Sequence, residues 1–124
     1  MEDLCYLLKD VNGAGEYRLN CSLDALHDSV QRAGFVLFEA DIATAHGKGE
    51  VLAELARAIK APDWFGHNWD ALADALSDLS WRKAPGYVLL LRGEHPGDDV
   101  LDDILNATVE FWRMQRKPFW VFFA

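Results

Sequence analysis

The sequence predicts an α/β fold, a small parallel sheet with helices packed on it. Short apolar runs alternate with segments of helical period, and that alternation is the pattern of strand-helix-strand units. Tyr87-Val88-Leu89-Leu90-Leu91 is continuously apolar, as a central strand covered on both faces must be. The chain also finishes in an apolar run, Phe119-Trp120-Val121-Phe122-Phe123, directly after a helical segment.

Each element has its own signal. Leu4–Leu8 and Glu16–Leu19 flank Asn12-Gly13, a hairpin turn pair, so an N-terminal β-hairpin is expected to add to or cover a sheet edge. Ser22 can cap a helix from Leu23 to about Ala33, with Gly34 as its stop. Phe35-Val36-Leu37-Phe38 reads as a strand. Gly49 to Ile59 reads as a helix with Leu52, Leu55, Ala56 and Ile59 on one face. Pro62 and Gly66 break the chain into a loop, and a helix follows from about Trp69 to Leu79. Asp98 and Asp99 open a helix from about Leu101 to Gln115, and Arg113, Arg116 and Lys117 sit at its end, where the macrodipole favours cations.

Composition narrows the function. The 124 residues suit one domain, 51% of them are hydrophobic, and no apolar run is long enough to span a bilayer. Met1-Glu2-Asp3 is acidic where a secretory signal is basic, so a soluble cytoplasmic protein is expected. In that compartment Cys5 and Cys21 should be thiols. Twenty acidic residues against 12 basic ones give a net charge of −8. Nucleic acid is then a poor direct partner, and a basic protein surface a good one.

The charge is concentrated. Within Pro62–Leu79, Asn68 is a plausible N-cap, and Trp69, Leu72, Leu76 and Leu79 form a core face. Asp70, Asp74 and Asp78 recur at every fourth position and form a second stripe about 100° around the axis. Like charges so placed cost about 0.2–0.5 kcal/mol per pair, and no Lys or Arg lies between Ala61 and Trp81 to offset them. A stripe kept at that cost is either a solvated face, a set of partners for Arg82, Lys83 or Arg113, or a binding surface. Trp64 and Phe65 stand beside Gly66 on the adjoining loop, a make-up that suits an interface anchor or a plug over the core.

The segment Pro62-x-Trp64-Phe65-Gly66-x-Asn68-x-Asp70-Ala71-Leu72-x-Asp74 resembles the barstar family of intracellular ribonuclease inhibitors. The resemblance runs over roughly Phe35 to Ala124. It implies a barstar-like three-stranded parallel sheet packed against helices, within a single domain over 1–124. Residues 1–34 would be an extension that adds the hairpin and a helix to the 35–124 core. It implies a cytoplasmic, bacterial inhibitor, expected to be a monomer, that reversibly blocks a basic ribonuclease or similar toxin protein without catalysis or cofactor. On that carry-over Asp74 matches the principal acidic contact and Asp70 a second one. Trp64 matches an interface aromatic, and Gly66 and Asn68 the adjoining loop. Phe65, Ala73, Asp78 and Trp81 are counted with them among the expected partner-binding residues, although the chain departs from the family at Ala73, where members often carry Trp, and at Trp81, which falls slightly later than in the type member. The acidic contact expected on the last helix has Glu110 as its nearest candidate. Carboxylates along a rigid helix can occupy phosphate positions without offering a scissile bond, and their field steers encounter.

Other motifs are weaker. Asp98-Asp99-Val100-Leu101-Asp102-Asp103 fits a magnesium-binding DDxxD pattern, but acidic residues are favoured at a helix start anyway. Gly47-Lys48-Gly49 lacks phosphate-loop spacing. No G-x-S-x-G elbow occurs. His67, Asp70 and Asp74 have a spacing that would let a metal-dependent hydrolase use them, which is the rival reading. A third reading is an interaction module with a non-nuclease target.

Overall fold

The computed structural model describes residues 7–63, 65–93 and 98–124. In chain order their elements are β1 (Glu16–Arg18), α1 (Leu23–Ala33), β2 (Val36–Asp41), α2 (Gly47–Ala58), α3 (Trp69–Leu76), β3 (Tyr87–Arg92), α4 (Asp99–Met114) and β4 (Phe119–Phe123). The strands form one sheet in the order β1-β4-β3-β2, with every neighbouring pair parallel. Leu89 lies opposite Phe38 on one side and Val121 on the other, so β3 is a central strand as its unbroken apolar run predicts.

Alternation along the strands divides the core in two. Tyr87, Leu89 and Leu91 of β3 join Phe119 and Val121 of β4 on the face covered by α2, α3 and α4. Val88, Leu90, Trp120 and Phe122 point to the other face, where Leu26 and Val30 of α1 cover them together with Leu8 and Ala14. Residues 7–34 therefore supply the cover of this face. Arg113 ties this cover to α4, because its guanidinium donates to the carbonyl oxygens of Val11 and Ala14 at 3.4 and 2.6 Å.

The helix signals act as expected. The Ser22 hydroxyl accepts from the Ala25 N–H at 3.1 Å, and Gly34 closes α1 with φ 73°. Asp98 accepts from the N–H groups of Val100 and Leu101 at 2.9 and 3.2 Å, which explains why acidic residues open α4. Among the described residues no helix is long and apolar enough to cross a membrane.

One expectation differs in detail and two need correction. The N-terminal hairpin differs in detail: Glu16–Arg18 is a strand at the sheet edge, but it pairs in parallel with β4 rather than turning back from Asn12-Gly13. Leu7–Lys9 turn instead of extending, and the rest of the proposed first arm lies outside the described residues. Second, the helix expected from Trp69 to Leu79 ends at Leu76. Leu79 turns inward with φ 49°, buried, and that reversal stops the helix. Third, Cys21 is disulfide-bonded rather than a thiol, while Cys5 lies outside the described residues.

Truncating the central strand should be costly. Leu89 is fully buried between its two neighbours, so Leu89→Ala is expected to lose about 2–5 kcal/mol of stability by urea denaturation. Burial also pushes the phenol of Tyr87 up from its ordinary value, and a backbone hydrogen bond at Ala84 acts the other way. As pH rises through about 10 the unfolded chain loses this proton first, so stability is full below that pH and falls above it. Tyr87→Phe should flatten this alkaline fall, as read from urea midpoints on either side of that pH.

Candidate functional site

The acidic helix is short, with eight residues, and would not persist alone. Its inward face holds it: Leu72, Ala75 and Leu76 are fully buried, and Trp69 is half-buried at its start. The Asn68 side chain accepts from the Ala71 N–H at 2.8 Å and donates to the Gly66 carbonyl at 3.3 Å, so one amide caps the helix and fixes the loop before it. His67 takes a left-handed conformation, φ 51°, to bring the chain from that loop into the cap.

Two indoles fix the ends of the helical layer. No basic residue occupies the last turn of α3. Instead Trp112 of α4 donates its Nε1–H to the Leu76 carbonyl at 2.8 Å, in the interior. Trp81 donates likewise to the Ile59 carbonyl at 2.8 Å, joining the turn after α3 to the end of α2. These donors satisfy carbonyls that helix ends leave open. Sequence reasoning placed Trp81 on the partner surface and gave Trp112 no role; a part-buried Trp needs a hydrogen-bond partner, and that need was the available signal.

The outward face is acidic. Asp70 and Asp74 are exposed on α3 one turn apart, with half-buried Ala73 beside them. Asp78 is exposed too, but it stands in the turn after the helix, where the Ser80 hydroxyl donates to its carboxylate at 3.2 Å. The stripe of three is thus two helical carboxylates and one from a turn. Among the described residues no ion pair reaches Asp70, Asp74 or Asp78: Arg113 pairs with Glu110 on its own helix. The same pair engages Glu110, the acidic candidate on α4.

The loop divides its aromatics. Phe65 is buried in the main core cluster and packs edge-on to His67 with ring centroids 5.1 Å apart. It plugs the core rather than offering an anchor, because its backbone N–H is turned back to Pro62 and its ring faces inward. Trp64 lies outside the described residues. Gly66 and Asn68 are exposed beside the acidic face. Among the described residues no three His, Cys, Asp or Glu side chains come together to hold a metal, so His67, Asp70 and Asp74 do not form the centre the hydrolase reading requires.

The helix capped by Asn68 carries Asp70 and Asp74 outward and packs on one face of the parallel sheet. A family model described as Barstar (barnase inhibitor) matches residues 35–124. The chain belongs to the barstar family. No curated protein matches it. The matched span begins one residue before β2 and includes α2, α3, β3, α4 and β4, so the barstar-like part contains the whole acidic face. Residues 7–34, outside that span, build the opposite cover of the same sheet. Barstar proteins are inhibitors rather than enzymes.

The cap is a local determinant of this surface. Asn68→Ala removes the acceptor for the Ala71 N–H and should cost about 1 kcal/mol, seen as a lowered urea midpoint with an unchanged slope.

Proposed function

We propose that this barstar-family protein inhibits a ribonuclease by laying the exposed face of α3 into the enzyme's phosphate-binding cleft. One observation supports it most: Asp70 and Asp74 stand outward on a braced helix, one turn apart, with no ion pair among the described residues. Such carboxylates keep their charge available for a cationic partner. A ribonuclease site gathers Arg, Lys and His to hold phosphates, and two fixed carboxylates meet those groups as anions that cannot be cleaved.

In this reading Asp74 and Asp70 make the principal charged contacts, and Asp78 adds charge from the following turn. Gly66 and Asn68 give the loop its close approach, and the small Ala73 leaves room between the aspartates for a bulkier partner group than a Trp there would admit. Trp64 is retained as an interface aromatic from the family motif. Phe65 and Trp81 position the loop and the turn around the helix rather than touching the partner. The partner is a basic ribonuclease or similar toxin protein, bound one to one by a monomer. The net charge of −8 accelerates capture of a basic enzyme.

The reading is tested on Asp74→Ala against a basic guanyl-type ribonuclease. Binding is expected to weaken by more than about 2 kcal/mol, while stability changes by no more than about 0.5 kcal/mol. The wild-type association rate should fall steeply with added salt. Inhibition by Asp74→Ala equal to that of the wild type would refute the assignment of the site.

A further inference from the structure

The sheet ends in two edge strands, and they differ in risk. An edge strand presents backbone groups that another chain can pair with, and a short one offers few. β1 has three residues. β2 has six, Val36–Asp41, and among the described residues no further strand lies beside it. The amides of Val36 and Ile42 donate to the Gly86 and Arg92 carbonyls on the β3 side. Backbone groups alternate in direction along a strand, so Leu37, Glu39 and Asp41 turn their N–H and C=O groups to the outer edge.

Two charged side chains of α2 come round to that edge. Glu54 accepts the Asp41 N–H at 3.3 Å, and Arg57 donates to the Glu39 carbonyl at 3.5 Å. They also hold each other. Arg57 Nε and Nη2 donate to the two Glu54 carboxylate oxygens at 3.2 and 2.8 Å, a bidentate pair with a fixed geometry. The hydrogen bond from Arg57 holds the Glu54 carboxyl below its ordinary value, against a smaller opposing effect of burial. Asp41 and Glu39 add to the field that favours the Arg57 cation. His27 of α1 lies 3.8 Å from the Glu39 carboxylate, on the face opposite α2. An exposed ion pair adds little to stability. The place of this one matters more, because it occupies one donor and one acceptor that an incoming strand would need.

We propose that Glu54 and Arg57 form a clasp that closes the β2 edge against a second copy of this chain. Without the clasp, two copies pair β2 to β2, antiparallel about a two-fold axis, through the outward backbone groups of Leu37, Glu39 and Asp41. The clasp involves neither Asp70 nor Asp74, so it stands or falls apart from the ribonuclease reading.

The test follows the full chain by sedimentation equilibrium from micromolar to millimolar concentration, with amide exchange measured at both ends of that range. The wild type is expected to stay monomeric. The Glu54→Ala/Arg57→Ala variant should associate as concentration rises, and exchange at Leu37 and Glu39 should then slow at least about fivefold relative to its own dilute sample. Adding Glu39→Pro removes an outward N–H without touching a bond to β3, and should restore the monomer. Asp28→Ala/Arg32→Ala, which removes an exposed pair of α1, should stay monomeric. Circular dichroism checks that each variant is folded. Arg57 is exposed, so Arg57→Ala alone decides the matter where the double variant does not fold, by associating while the wild type does not. A clasp variant that stays monomeric at millimolar concentration, association that leaves exchange at Leu37 and Glu39 unchanged, or equal association of the wild type or the Asp28→Ala/Arg32→Ala variant would each overturn the proposal.

Discussion

The whole arrangement depends on a parallel sheet that must be covered on both faces. A strand such as Tyr87–Arg92, with every residue but the last buried, has no side to leave in water. Parallel neighbours cannot be joined by a tight turn, so each connection carries a helix, and each helix must lie on a face. Among the described residues three of the four helices go to one face. That leaves the other face to α1 and the segment before it. The same constraint gives α3 its geometry: once Leu72, Ala75 and Leu76 are committed to the core, Asp70 and Asp74 have only the solvent side.

Packing also decides how an unfavourable helix persists. Two like charges one turn apart and three aspartates within eleven residues from Asn68 oppose helix formation locally. The opposing contributions are tertiary. The buried face outweighs the repulsion by a wide margin, since each fully buried leucine side chain contributes about 1.5–3 kcal/mol, against a few tenths for each charge pair. The Trp112 indole then holds the carbonyl of Leu76, at the end where a basic residue would ordinarily stand. The helix is therefore rigid without using its own carboxylates, and they stay available.

Much of this was legible in the sequence, for reasons that differ by element. The apolar runs of β3 and β4 and the caps at Ser22, Asn68 and Asp98 depend on local composition, and the structure places them where the pattern did. The direction of β1 was not local. Asn12-Gly13 favours a reversal, but the pairing of Glu16 with Val121 is set by which strand lies at the sheet edge, over a hundred residues away. The end of α3 was misread because Asp78 and Leu79 continue the helical period while the backbone reverses at Leu79. Phe65 and Trp81 carry the residue types of an interface and do structural work instead, since a loop beside a core uses aromatics for both purposes.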